Sequence, residues 1–183
     1  MLWNRIVRAA RLDVQLYEEV EADEQALGQA TLVVVLSSLA AGIGSYEMAG
    51  FTGLIGGTVA ALVSWYAWSL VTYLVGTKLL PEAQTQATYG QLLRTIGFAS
   101  APGLARIAGV IPGLGIISSF VAGIWMLVAM IIAVRQALDY ESTARAVGVC
   151  VIGWLAQSLV FIAVAMLVGG GLVDDAGSAT TDF

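Results

Sequence analysis

Between Gly90 and Asp139 the chain reads GQLLRTIGFASAPGLARIAGVIPGLGIISSFVAGIWMLVAMIIAVRQALD, and this stretch constrains the fold more than any other. Its first half is apolar but carries Arg94, Arg106 and Pro102, its middle is a tight Pro112-Gly113 turn, and its second half, Leu114 to Val134, has no charge. A charge-free run of that length is what a helix needs to cross a hydrocarbon core about 30 Å thick. The run before it must take two cations and a helix break into the same layer, which costs free energy at each. The pair predicts a hairpin of two membrane spans.

Composition extends this environment to the whole chain. Hydrophobic residues make up 58% and charged residues 11%, against roughly half and a quarter in soluble domains. At about 20 residues per span, 183 residues give room for four or five helices and no sizeable soluble domain. The sequence contains no histidine, which removes the commonest metal ligand and the usual general base near neutral pH. Cys150 stands alone inside an apolar run and is expected to pack as a small hydrophobe. No nucleophile with a base, metal-ligand cluster or Walker-type loop is present, and Gly169, Gly170 and Gly171 end an apolar run without opening a phosphate-binding helix. The expectation is a protein without enzymatic activity or cofactor. A net charge of −5 with scattered arginines gives nucleic acid no electrostatic footing.

Residues 1–27 read as an amphipathic, acidic N-terminal helix on the cytoplasmic side. Trp3, Val7, Ala10, Val14 and Tyr17 recur at steps of three and four, with Arg5, Arg8 and Arg11 on the flanks, as in a helix lying in a membrane interface. The acidic run after the arginines is unlike the apolar core of a cleaved signal peptide. Asp13, Glu18, Glu19, Glu21, Asp23 and Glu24 are expected to face water or a partner. A transmembrane domain then covers 28–173, with apolar segments at Ala30–Gly44, Gly53–Val75, Leu92–Ile111, Leu114–Val134 and Val147–Val173, and 174–183 form a flexible acidic tail. The first segment reaches spanning length only if Ser45 to Ala49 continue it, which brings Glu47 to headgroup level. The third has eight large aliphatic or Phe residues, each worth about 0.5 kcal/mol of insertion, against about 3 kcal/mol for one central arginine, so it inserts only with help. If it spans, Arg5, Arg8, Arg11, Lys78, Arg94, Arg135 and Arg145 all fall on the side of the N-terminus and Arg106 on the other. Short cytoplasmic loops are enriched in such residues. The fold class is therefore an all-α membrane protein: a five-transmembrane-helix bundle with an N-terminal amphipathic interfacial helix, N-in/C-out.

Gly53, Gly57 and Ala61, and Gly115, Ser119 and Gly123, repeat at four-residue spacing and suit close helix packing. Arg94 and Arg106 lie roughly 18 Å apart on a straight helix, so each can snorkel to a different interface as an anchor or hold a lipid headgroup or anionic partner. Glu47 is a candidate ion-pair mate for Arg106. Pro102 frees carbonyls that Ser100 or another helix must satisfy. Trp65, Tyr66 and Trp68 sit in mid-span with indole and phenol groups to bury, and Gln157 suits an interhelical hydrogen bond. Arg135 with Asp139, and Glu141 with Arg145, are four apart and can pair.

Gly97-Phe98 with Pro102 five residues after the glycine, the Ile111-Pro112-Gly113-Leu114-Gly115 turn, an apolar span, and Val134-Arg135-Gln136-Ala137-Leu138 before a last span resemble the Yip family of Ypt/Rab-interacting membrane proteins, in its short bacterial branch. The resemblance covers about Gln29 to Val173 and implies five helices, a cytoplasmic N-terminus and, for a bacterium, the inner membrane. Eukaryotic members are associated with vesicle traffic, membrane shaping and binding of prenylated Rab GTPases. Here Leu16-Tyr17 is followed by Glu18-Glu19 where those members show Gly-Pro, so the N-terminal sequence does not support Rab-type binding. Three functions suit the sequence: a membrane-organising or scaffold protein contacting lipids, other membrane proteins or its own copies; an accessory subunit of a larger complex; or a small transporter or channel.

Overall fold

The computed structural model describes residues 1–159, without the side chains of 46–49. The second half of the expected fifth span and the acidic tail lie outside the described residues. All regular structure among those described is helical: α1 Leu2–Ala10, α2 Val14–Ala22, α3 Ala26–Gly44, α4 Tyr46–Leu74, α5 Tyr89–Phe98, α6 Gly115–Ala137 and α7 Thr143–Leu159. A π-helical turn, Val75–Leu79, extends α4, and a 3-10 helix, Ala101–Val110, follows α5. Three of these stretches, Ala26–Gly44, Gly50–Leu79 and Gly115–Ala137, are long and apolar enough to cross a membrane. α3 reaches that length by starting four residues earlier than its apolar run, so Ser45 to Ala49 are not needed. Ser45 ends it, and Gly50, at φ 62°, kinks the start of α4.

Where the sequence predicts one interfacial helix, the structure has a hairpin. The chain turns at Leu12, at φ 62°, and the Asp13 side chain accepts from the Gln15 N–H to cap α2. Ile6 and Ala9 of α1 and Leu16, Tyr17 and Val20 of α2 are buried, whereas Trp3 is 70% and Val14 42% exposed. The buried face meets the stripe read along a single helix at Tyr17, and in α1 it lies one position before that stripe, at Ile6 and Ala9. α2 packs on α5 and α6, and the Trp125 indole, midway along α6, donates to the Ala10 carbonyl at 2.8 Å.

The third apolar segment changes helix type midway. Pro102 has no N–H to give the Phe98 carbonyl, so the backbone shifts to shorter bonds: Ser100 N–H to Gly97 and Gly103 N–H to the Ser100 carbonyl. With a rise of about 1.5 Å per residue in α5 and about 2.0 Å in the 3-10 helix, the two ten-residue pieces measure roughly 35 Å end to end. This stretch runs parallel to α3 in intimate contact. A Cβ on Gly97 would lie 2.7 Å from the Ala30 Cβ and 3.1 Å from the Trp65 ring, and one on Gly103 would collide with the Ser37 hydroxyl. Gly109 reaches Gly44 at the far end. α4 returns antiparallel, with Leu54 against Gly42, Thr58 bonded to Ser38, and the Trp65 indole donating to the Leu93 carbonyl at 3.1 Å. α6 brings Met126 to Gly103 and Leu138 to Gly76; α7 brings Gly153 to Trp68. One end of the bundle therefore collects Lys78, Arg94, Arg135 and Arg145, and Arg106 lies toward the other.

The Gly97 crossing gives a direct test. Gly97→Leu should destabilise the detergent-solubilised protein by about 1–3 kcal/mol, as overpacking does. Gly57→Leu, at an exposed position with no atom within 4 Å of its would-be Cβ, should leave the thermal midpoint unchanged. Equal losses at both positions would mean that α5 does not cross α3 there.

Candidate functional site

A cavity of about 270 Å³ lies at the centre of the bundle, bounded by α3, α4, α5, the 3-10 helix, α6 and α7. Its polar lining is Ser37, Ser38, Ser64, Ser100, Arg106 and Gln157; its apolar lining includes Val34, Trp65, Ile96, Met126 and Met130. The 3-10 helix brings Arg106 here. At three residues per turn, positions 103, 106 and 109 fall on one face, and Gly103 and Gly109 fix that face against α3. On an α-helix successive members of that set would rotate away from one another.

Several hydroxyls outside the lining bond to their own helix. Thr31, Ser45, Thr58, Thr77, Thr95 and Ser158 each donate to the carbonyl four residues earlier, the usual way a helix satisfies such a group. Ser38 bonds to Val35 and Thr58. Among the described residues, the side chains of Ser37, Ser64, Ser100, Arg106 and Gln157 have no hydrogen-bond partner. The buried Trp68 indole N–H, Ser69 hydroxyl and Thr72 hydroxyl are also unpaired there. The Gly97 and Ser100 carbonyls beside Pro102 are met by backbone N–H groups, and the Ser100 hydroxyl takes no part in satisfying them.

At the arginine-rich end the cations act as caps. Arg94 is 8% exposed; its Nε donates to the Val20 carbonyl at 2.9 Å and its Nη2 to the Glu21 carbonyl, two of the orphan acceptors at the end of α2. Thus Arg94 holds the N-terminal hairpin where the sequence suggested a lipid anchor. Gln91 caps α5 together with Thr88 and donates to the Glu21 carboxylate at 2.9 Å. Arg135 does not pair with Asp139: it donates to the carbonyls of Tyr140 and Glu141, because Asp139, at φ 53°, turns the chain back over the end of α6. Arg145 likewise passes over Glu141 to reach Glu82 at 3.2 Å and the Pro81 carbonyl. The Tyr140 hydroxyl lies within hydrogen-bond distance of the Gly76 and Leu80 carbonyls, which the π turn leaves free.

Within the hairpin, Arg5 binds Glu19 and Asp23 and Arg8 binds Asp13 and Glu19, at 2.6 to 2.9 Å. The hydrogen bonds from these arginines hold all three carboxyls below their ordinary range. So part of the acidic run faces its own chain. Glu21 behaves oppositely: burial and, after it, the nearby Asp139 charge push its carboxyl up to about 7, against the pull of Arg94.

Trp65, Trp68 and Gln157 meet at the cavity as a cluster, but Tyr66 turns outward at 44% exposure and lends its carbonyl to the Tyr89 hydroxyl. Gly57 and Gly123 have no neighbour within 4 Å of a would-be Cβ, and Ser119 is exposed. The close approaches among the described residues run instead through Gly97, Gly103 and Gly109, with Gly115 and Ala61 at the margins. The expected Glu47 pairing falls on a side chain outside the described residues. Of Gly97, Phe98 and Pro102, all three are buried. Sequence reading missed Ser37, Ser64 and Glu21; no local spacing distinguishes those serines from the back-bonded ones.

Glu21 makes hairpin docking pH-dependent. Its carboxyl titrates near 7 when docked and near an ordinary 4.5 when released, so docking takes up a proton between those values, is strongest below that window and weakens as pH rises through it. Amide exchange across Val14–Ala22 should therefore quicken from pH 5 to about 7.5 beyond the intrinsic base-catalysed increase, and Glu21→Gln should abolish the excess. A variant with the wild-type profile would place the titrating group elsewhere. Arg94→Gln should raise exchange at every pH.

A family model for the Yip1 domain matches residues 14–167, from the start of α2 onward. No curated protein and no solved structure gives a match. With helices long and apolar enough to cross a membrane and a family match over most of its length, this membrane protein belongs to the Yip1 domain family.

Proposed function

We propose that this is a non-enzymatic, membrane-organising or scaffold protein of the cytoplasmic membrane of a bacterium, crossing it five times with its N-terminus inside and its C-terminus outside. The observation that carries the reading is how the bundle uses its surface. Arg5, Arg8, Arg94, Arg135 and Arg145 are bound to groups of their own chain, while long apolar faces remain open. On α4, Phe51, Ile55, Val59 and Val63, then Tyr66, Leu70 and Leu74, form one exposed stripe at steps of three and four. On the first half of α6, Ile116, Ile117, Phe120, Val121 and Ile124 are exposed over more than one face. Such surfaces engage lipid, another membrane protein or a second copy through packing.

The roughly 35 Å length of α5 with its 3-10 extension, and its course beside α3, support a third crossing. The collection of Lys78, Arg94, Arg135 and Arg145 at one end supports an inside N-terminus. Leu16 and Tyr17, the two residues that resemble the Rab-binding motif, are fully buried, and the Tyr17 hydroxyl bonds to the Ala9 carbonyl. This supports a structural role for them and no Rab-type partner. The central polar cavity favours a second reading, a small transporter.

Size and composition of the native particle decide between these. Extraction in mild detergent followed by mass spectrometry should give self-association or lipid-bearing particles; a stoichiometric foreign subunit would make it an accessory subunit. Solute flux in proteoliposomes that stops on Arg106→Gln would favour transport. For topology, a cysteine at exposed Ser142 should resist an impermeant maleimide on intact cells. Ready labelling there would reverse the orientation.

A further inference from the structure

We infer that the central cavity binds the oxyanion of an amphiphile, a phosphate or carboxylate that Arg106 pairs and the serines of α3, α4 and α5 hydrogen-bond. The inference goes beyond the scaffold reading and does not depend on it. Three observations converge. First, Arg106 brings a permanent cation to the lining, with neither a carboxylate nor another partner beside it among the described residues. A guanidinium in a low-dielectric layer needs an anion or water, since its desolvation is otherwise uncompensated. Second, Ser37, Ser64 and Ser100 have no hydroxyl partner among the described residues, while Thr31, Thr58 and Thr95 bond to their own backbone. Among the described residues, hydroxyls, guanidinium and the Gln157 amide make a donor-rich lining without a carboxylate, which an oxyanion satisfies as a neutral polar group does not.

Third, the other wall is apolar and adaptable. Met126, Met130, Val34 and Ile96 contribute to the lining, a combination that accepts a hydrocarbon stem. About 270 Å³ holds roughly nine waters, so a small headgroup fits and a folded lipid does not. Any chain attached to the oxyanion must leave between helices.

The test is lipid and anion retention on the full-length protein purified in detergent, read by native mass spectrometry. With equimolar phosphatidylglycerol and phosphatidylcholine, wild type should keep one phosphatidylglycerol in preference. Arg106→Gln should lose it by about tenfold or more, and Arg106→Lys should retain part. Arg11→Gln, which removes an exposed cation on the hairpin, should change nothing. Because Arg106→Gln could fail to fold, Ser64→Leu fills the cavity from α4 with Arg106 intact and should also abolish retention. Millimolar inorganic phosphate separates the two sources. If it binds by itself and displaces the lipid, the ligand is a free anion; if phosphatidylglycerol survives it, the ligand is a headgroup. Equal retention of both lipids with no phosphate bound, or full retention in Arg106→Gln and Ser64→Leu, overturns the inference.

Discussion

One missing hydrogen bond organises this bundle. Pro102 cannot donate to Phe98, and a chain in lipid has no water to take the orphaned carbonyl. The backbone answers by tightening from α to 3-10 for the ten residues Ala101–Val110, far beyond the usual three or four. Each consequence follows from the altered rise and turn. The segment lengthens enough to cross a bilayer without more residues, and every third position comes onto one face. That face carries two glycines, which let the backbone close on Ser37 and Gly44 of α3, and between them Arg106. A cation that α-helical periodicity would send to a flank is thereby delivered to the cavity lining.

The other arginines follow a different logic, that of the helix end. The last carbonyls of α2 have no intrahelical donor, and Arg94 supplies two of them with one in charge-assisted form, favoured further by the negative end of the helix dipole, whereas Arg135 donates to the Tyr140 and Glu141 carbonyls just beyond α6. Because Arg94 belongs to α5 and the carbonyls it caps belong to α2, this cap couples the N-terminal hairpin to α5 and the 3-10 helix that follows it. Its neighbour Glu21 is held by Gln91 in the same turn of α5. The hairpin is thus bound by polar groups at its C-terminal end and by Leu16, Tyr17 and Val20 along its length.

What the sequence made legible was whatever a single periodicity encodes. Membrane class, the positions of α3, α4 and α6, the break at Pro102 and the family all follow from apolar runs and from Gly97, Phe98 and Pro102. Features that depend on a change of phase were hidden. Trp3 and Val14 look like members of one stripe until the turn at Leu12 rotates α2 away from α1. Gly57 and Gly123 look like members of seams at four-residue spacing, yet the close approach to α3 uses six-residue spacing, 97, 103 and 109, which a partly 3-10 segment aligns. Arg135 and Asp139 sit at pairing distance on paper, but the positive φ at Asp139 ends the helix before the pair can form.

The family signature takes on a physical meaning in this light. Gly97 permits the crossing with Ala30 and Trp65, Phe98 fills the core beneath it, and Pro102 forces the 3-10 helix. None of the three lines the cavity. The signature therefore builds the space and leaves its chemistry to other positions: Ser37, Ser64, Ser100, Arg106 and Gln157, none of which belongs to the motif. A fold that fixes its scaffold with one set of residues and its lining with another can change what it holds without disturbing how it packs. By that reasoning the inferred oxyanion site rests on the five lining groups, and the motif by which the family is recognised speaks to architecture alone.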